Sequence, residues 1–357
     1  MLADETDFVI GVDTHRDRHS AAIVNATGGV LEQWDLAAST GGYRSALARA
    51  RQCAEGRRVW AIEGTGSYGA GLARFLLAQG ERVVEIDRPR RREGRAGAKS
   101  DALDAVRAAR EALGRDLLAT PRLAGQRDGL RALVMTREGA VLARTAAINQ
   151  LRALVVVAPE PLRAELRGLA FAQLIERCAH LRPGARDPHN RPLTVALRSC
   201  AQRVRTLQQE TRALRRQILD LVRALAPALL DEPGVGPISA AHLIIAWSHP
   251  QRFRSEAAFA MLAGTSPVPA SSGQTVRHRL NRGGDRRLNR ALHTIVLARR
   301  ATHRPTQAYI DRRVAQGKSK REAVRCLKRY LARHHYRILQ TTATPLTDTA
   351  PPGANTA

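Results

Sequence analysis

The chain has 357 residues, 44% of them hydrophobic, with 58 Lys and Arg against 32 Asp and Glu and a formal net charge of +26. That apolar content excludes a wholly disordered chain, the length allows two or three domains with cores of their own, and the charge favours a polyanionic partner, most often nucleic acid. Four scattered cysteines without a Cys-x-x-Cys pair argue against a zinc site or a disulfide framework, and the acidic N-terminus "MLADETD" and the lack of a long apolar run argue against a signal peptide and a membrane span, so a reduced bacterial cytoplasm is the expected location, at the nucleoid when acting.

Taken in chain order, "FVIGVD", "HSAAIVN" and "VLEQWDL" read as three strands of an antiparallel meander, with Gly28-Gly29 at the second turn. A helix "STGGYRSALARARQCA", a strand "RRVWAIEG", a helix "SYGAGLARFLLAQG" and a strand "ERVVEID" follow. Three strands and then alternating helix and strand is the element order of an RNase H-like (RuvC-like) α/β fold, expected over residues 1–123. Two long helices are predicted over 124–157 and 191–228, with the loop "RPGARDPHNRP" between them. The second carries a 3–4 repeat through Leu193, Leu197, Cys200, Val204, Leu207, Thr211, Leu214, Ile218, Leu221 and Leu225, a coiled-coil seam. In the first, Val134, Val141, Ile148 and Val155 recur every seven residues, with Arg137, Arg144 and Leu151 in the weaker seam position. Together they read as an antiparallel arm over 124–228, either a dimerisation or nucleic-acid-spanning element or an ordinary helical hairpin. A mainly helical third region, 229–340, begins with "GVGPISA", which has the form of a helix–hairpin–helix turn in which Gly234 and Gly236 let backbone N–H groups approach a phosphate; a plain Gly/Pro turn is the alternative. The tail 341–357 reads as disordered.

The candidate chemistry starts at Asp13. A carboxylate this near a core is costly unless paired, and Glu63 ends the fourth strand in the same manner. In an RNase H-like sheet those two strands lie side by side. Asp101 and Asp104 in "KSDALDAVRAAR" are three apart on a helix and share a face; alone they would read as surface residues paired with Arg107 or Arg110. Four converging carboxylates repel without a cation, and oxygen donors select a hard one, Mg²⁺ with Mn²⁺ as substitute. Paired metals clamp phosphoryl transfer in many nucleases. Asp17, in the adjoining loop, is a weaker candidate.

In "GTSPVPASSGQTVRHRLNRGGDRRLNRAL", Ser271-Ser272-Gly273 precede a basic run that includes Arg277, Arg279, Arg282, Arg286 and Arg287. A serine there can cap a helix or bind phosphate, or it can attack a phosphodiester with arginine neutralising the developing charge. Spacing alone does not choose between these.

"IGVDTHRDRHSAAIV", "AIEGTGSYG" and "KSDALDA" resemble the DEDD signature of the insertion-sequence transposase family that includes the pilin-gene invertases, and "GVGPISAA" and "SSGQTVRHRLNRGGDRRLNRAL" resemble its second domain, over about residues 8–335. The resemblance implies a metal-holding set of Asp13, Glu63, Asp101 and Asp104 and a nucleophilic serine, Ser272 with Ser271 as fallback, that links covalently to DNA. It further implies recombination of element and target DNA guided by a structured RNA from the element, by dimers that pair into tetramers with composite sites. The competing expectation is a metal-dependent, structure-specific nuclease of the junction-resolvase type without a covalent intermediate; a non-catalytic nucleic-acid-binding protein is the third.

Overall fold

The computed structural model describes residues 1–86, 101–116, 118–119, 121, 125–182, 190–250, 252–269, 278–279, 281 and 283–342. Ser271, Ser272, Arg277, Arg282 and residues 343–357 of the tail lie outside the described residues, as does the side chain of Asp101. The chain divides into two compact units, Met1–Gly125 with Ser248–Arg254, and Gln126–Trp247 with Ser255–Ala357.

The first unit is mixed α/β. Its strands are β1 (Phe8–Thr14), β2 (Arg18–Asn25), β3 (Val30–Ala37), β4 (Arg58–Glu63) and β5 (Arg82–Ile86); its helices are α1 (Thr40–Cys53), α2 (Ala70–Ala78) and α3 (Asp101–Leu113). The sheet order is β3-β2-β1-β4-β5, with β1–β2 and β2–β3 antiparallel and β1–β4 and β4–β5 parallel. The three-strand meander and the two βα crossovers expected from the sequence are therefore present. The apolar runs of β1 and β4 follow from burial on both faces. Ile10, Val12, Trp60 and Ile62 pack against α1 and α2, while Val9, Val59 and Ala61 pack against Ala105, Val106, Ala109 and Ala112 of α3. Each fully buried large side chain contributes about 1.5–3 kcal/mol. Ser39 caps α1, its hydroxyl accepting from the Gly42 amide.

Glu81 ties β4 to the strand that follows it. Its carboxylate accepts from Arg58, from the indole of the fully buried Trp60 at 3.2 Å and from Arg51. Burial alone would raise its pKa, but those donors hold it below the usual carboxylate range.

The second unit is largely helical: α4 (Gln126–Val156), α5 (Glu160–Arg167), α6 (Phe171–Ala179), α7 (Arg191–Leu225), α8 (Pro237–Trp247), α9 (Glu256–Leu262), the short strands β6 (Val268–Pro269) and β7 (His278–Arg279), and α10 (Arg286–Thr302), α11 (Arg304–Ala315) and α12 (Lys320–Thr342). The long helices α4 and α7 run antiparallel, with Arg203 bonded to Gln150 near one end and Arg137 beside Arg215 nearer the other. Leu197, Cys200, Val204, Thr211 and Ile218 are buried on the expected stripe of α7, whereas Leu207, Leu214 and Leu221 are half-buried. On α4 the buried stripe runs Leu130, Val134, Ala140, Ala147, Leu151 and Val155, so Val141 and Ile148 lie at its margin. The sequence reading also passed over α5 and α6, whose Leu166, Leu174, Ile175 and Cys178 complete the core at that end of the pair. Their short amphipathic repeats fall below the length at which helical periodicity stands out. The arm and the helices from α8 onward form one unit rather than two.

Candidate functional site

The two strand-end carboxylates lie at one edge of the sheet. Val12 pairs with Ile62 across the parallel β1–β4 ladder, which sets Asp13 beside Glu63, and the Thr14 hydroxyl donates to the Glu63 carbonyl at 2.9 Å. Side chains alternate between faces along a strand. Because Val9 and Gly11 of β1 and Val59 and Ala61 of β4 face α3, Asp13 and Glu63 belong to that same face.

Helix α3 arrives there because Gly11 admits it. A β carbon on Gly11 would lie 2.0 Å from the Ala105 carbonyl oxygen and 2.6 Å from the Ala109 nitrogen. The C-terminal end of α3 lies toward the opposite edge, where Arg110 donates to the Gly28 carbonyl and the Leu2 amide donates to the Arg115 carbonyl. Counting back from the Gly11 contact, α3 rises about 6 Å from Ala105 to Asp101, while β1 advances about 7 Å from Gly11 to Asp13. The first turn of α3, with Asp101 and Asp104, thus lies at the sheet edge that carries Asp13 and Glu63.

Asp13 is buried, and its Oδ2 lies 3.3 Å from His15 Nε2. Directly across the antiparallel ladder stand Ser20 and then Asp35, whose Oδ1 accepts from the Ser20 hydroxyl at 2.7 Å. Asp35, Ser20, Asp13 and Glu63 therefore form a row across four strands. The sequence reading missed Asp35 and His15; the strand pairing of Ser20 was the available signal for the former. His19, buried and stacked on Tyr43, has its pKa lowered chiefly by that burial.

Asp104 is turned to Arg107, whose Nη1 donates to its Oδ1 at 2.6 Å. Among the described residues, no group of three or more His, Cys, Asp or Glu side chains is arranged to hold a metal ion. The donor chemistry of Asp13, Glu63 and Asp104 suits a hard cation, and their elements bring them to one edge, but Asp104 makes an ion pair in place of joining the strand carboxylates.

In the second unit, Gly234 has φ of +75°, and a β carbon there would lie 2.9 Å from the Ile295 carbonyl oxygen, so its backbone is covered by α10. Gly236 has open space around it. Asp285 caps α10 by accepting from the amides of Arg287 and Leu288. Arg287 and Arg290 reach across to Glu138 of α4, at 3.2 and 2.6 Å, beside the buried His242. Arg279 is exposed on β7, and Arg286 is exposed at the start of α10.

A family model of DEDD transposases of IS110 type, described as "Transposase", matches residues 10–158, and one described as "Transposase IS116/IS110/IS902 family" matches residues 226–311. Together they cover more than half of the chain. The chain belongs to the IS110 family of transposases. A relative in Streptomyces coelicolor, described as "Insertion element IS110 uncharacterized 43.6 kDa protein", is 32% identical over 145 residues, 40% of this chain and 36% of its own length. The first family match takes in β1 from Ile10 onward, β4 and α3 and so contains all four acidic residues; the second contains Gly234, Gly236 and the serine-bearing and arginine-rich stretch up to α10. No helix among the described residues is long and apolar enough to cross a membrane.

Proposed function

We propose that this chain is a DNA transposase that cuts and rejoins DNA by phosphoryl transfer at the sheet edge of its first unit. The observation that carries the reading is the placement of Asp13 and Glu63 at matching ends of adjacent parallel strands, on the face covered by the first turn of α3 with Asp101 and Asp104. The β3-β2-β1-β4-β5 order supports an RNase H-like first unit, and the antiparallel α4–α7 pair supports a coiled-coil arm. Asp13, Glu63, Asp101 and Asp104 would hold Mg²⁺, which when bound polarises a phosphate and stabilises the charge that develops on it. For Asp104 to join the set, its half-buried carboxylate must turn away from the exposed Arg107 guanidinium with which it pairs.

The nucleophile in this reading is the Ser272 hydroxyl, with Ser271 as the fallback. Its oxygen forms the new ester to phosphorus as the bond from phosphorus to the 3′ or 5′ oxygen of the cut strand breaks, the hydroxyl proton passing to solvent and the leaving oxygen taking up a proton in turn. Neighbouring arginines, Arg279 and Arg286 among them, neutralise the charge on the non-bridging oxygens. The partners in this reading are the element ends and target DNA, a structured guide RNA from the element, and further copies of the chain as dimer and tetramer.

Denaturing gels of protein mixed with labelled element-end DNA test it. Label retained on the protein, lost in Ser272→Ala, is the expected result. Free cleaved ends from the parent would replace the covalent intermediate with water-mediated hydrolysis, as in a junction resolvase.

A further inference from the structure

The second unit contains a cleft of about 700 Å³ lined by the stretch before β6, by β7, by Asn289 of α10, by the end of α11 with the turn after it, and by α12. Among the described residues, seven of its lining side chains are Lys or Arg and one, Glu322, is acidic. Glu322 is committed elsewhere: it accepts from the amide and hydroxyl of Ser319 at 2.8 Å and pairs with Arg325. Arg333, at the rim, is held by Glu256.

Lys328 differs from these neighbours. It is 7% exposed, and among the described residues it has no carboxylate partner. Its Nζ donates to Asn289 Oδ1 at 2.5 Å, and Asn289 is itself fixed by donating its Nδ2 to the Ala263 carbonyl at 2.6 Å. An ammonium has three donors, so the Asn289 contact leaves two for the cleft that Lys328 lines. A buried cation without a counter-charge costs several kcal/mol, and burial lowers its pKa; an anion in the cleft relieves both. Lysine is also rare here, at four positions among 58 basic residues, and a compact point charge on a flexible stem can follow a phosphate in a way a planar guanidinium does not.

Tyr330 supplies a second contact. It lines the same cleft, is 52% exposed, and is held edge-on by Tyr309 with ring centroids 5.9 Å apart. Guanidinium groups of Arg312 and Arg313 in turn lie 5.5 and 5.6 Å from the Tyr309 ring. An exposed aromatic ring and a buried cation lining one basic cleft are the elements by which proteins hold an unstacked base and a backbone phosphate.

We propose that this cleft binds a single nucleic-acid strand, Lys328 gripping a backbone phosphate and Tyr330 stacking an unpaired base. The proposal deepens the transposase reading by naming where an unpaired stretch of the substrate is held.

The test is fluorescence anisotropy of the full chain with a short labelled oligothymidylate and with a duplex of the same length. Lys328→Met is expected to weaken single-strand binding about tenfold and to reduce the log–log salt slope by about 0.7. Its melting temperature should equal or exceed the parent's, because an unpaired buried charge is removed. Tyr330→Ala is expected to weaken single-strand binding at least about fivefold, at unchanged slope, with little effect on duplex. Parental single-strand affinity in both variants overturns the proposal, as does an equal loss for duplex; a lower melting temperature with parental affinity makes Lys328 a structural residue. Tyr330 is a surface position, so its variant carries the test if Lys328→Met does not fold. Cleavage is scored separately. A parent that binds oligothymidylate through these residues and never cleaves element-end DNA retires the transposase reading alone. A parent that cleaves, with binding unmoved in both variants, retires the cleft alone.

Discussion

The Gly11 Cα and the Ala105 carbonyl oxygen are so close that a β carbon on Gly11 would sit 2.0 Å from that oxygen. This contact, backbone against backbone, sets how near α3 approaches the sheet and hence where Asp101 and Asp104 stand relative to Asp13. Gly11→Ala should therefore force α3 away and destabilise the first unit by about 3 kcal/mol, the upper part of the range for overpacking a core. Chemical denaturation reads the loss, and a midpoint within error of the parent would show that α3 is not pressed on β1.

Asp13→Asn keeps shape and removes charge. If Asp13 helps to hold a cation, Mg²⁺ should raise the melting temperature of the parent and leave the variant almost unmoved. Preferential binding to the native state is worth about 2.7 kcal/mol when free ligand is a hundredfold above Kd. The same comparison applies to Glu63→Gln. An equal Mg²⁺ shift in parent and both variants would sink the metal assignment without any activity measurement.

Much of the first unit was legible because its strands are short, bounded by turns and buried on both faces. "FVIGVD" and "RVWAIE" announce strands whose last residue breaks the apolar run with a carboxylate, and the meander-then-crossover order leaves few ways to arrange them. What was not legible is side-chain commitment. Sequence spacing puts Asp104 on a face, but whether it turns to Arg107 is a rotamer choice among nearby charges. Gly234 reads as a phosphate-approach glycine from its motif, and only the fold reveals that α10 lies on it. Lys328 and Asn289 are 39 residues apart on different helices, and no periodicity joins them. The helices α5 and α6 escaped because a single turn or two of amphipathic pattern is indistinguishable from a loop with apolar residues.

The basic run before α10 offers a salt test. Replacing Arg277, Arg279 and Arg282 together should weaken duplex binding and flatten its salt dependence, each lost phosphate contact lowering the log–log slope by about 0.9. Arg287 makes a useful contrast. Its guanidinium already pairs with Glu138 at 3.2 Å, so Arg287→Gln should change the slope less than Arg279→Gln. Equal slope changes would mean that Glu138 releases Arg287 to the nucleic acid.

The last expectation concerns acid. His335 is fully buried in α12, with His334, Glu232 and Arg299 around it, and its pKa is pushed down to about 4, burial being the main cause. In the unfolded chain the same imidazole titrates near 6.5. Between those values the unfolded state binds a proton that the native state refuses, so native stability falls as pH drops through that window. One proton changes stability by about 1.36 kcal/mol per pH unit, which integrates to about 3 kcal/mol across the whole interval. Glu232, whose burial is outweighed by His334 and Arg299 so that its pKa is lowered, acts in the same direction but only below its unfolded value of 4.5. The span between about 6.5 and 4.5 therefore belongs to histidine. His19 and His242, also lowered by burial, add slopes of the same sign. His335→Leu should remove one proton's worth of slope from a plot of denaturation free energy against pH in that span and leave the remainder. An unchanged slope would mean that the imidazole is protonated in the folded chain, with Glu232 close enough to hold the charge.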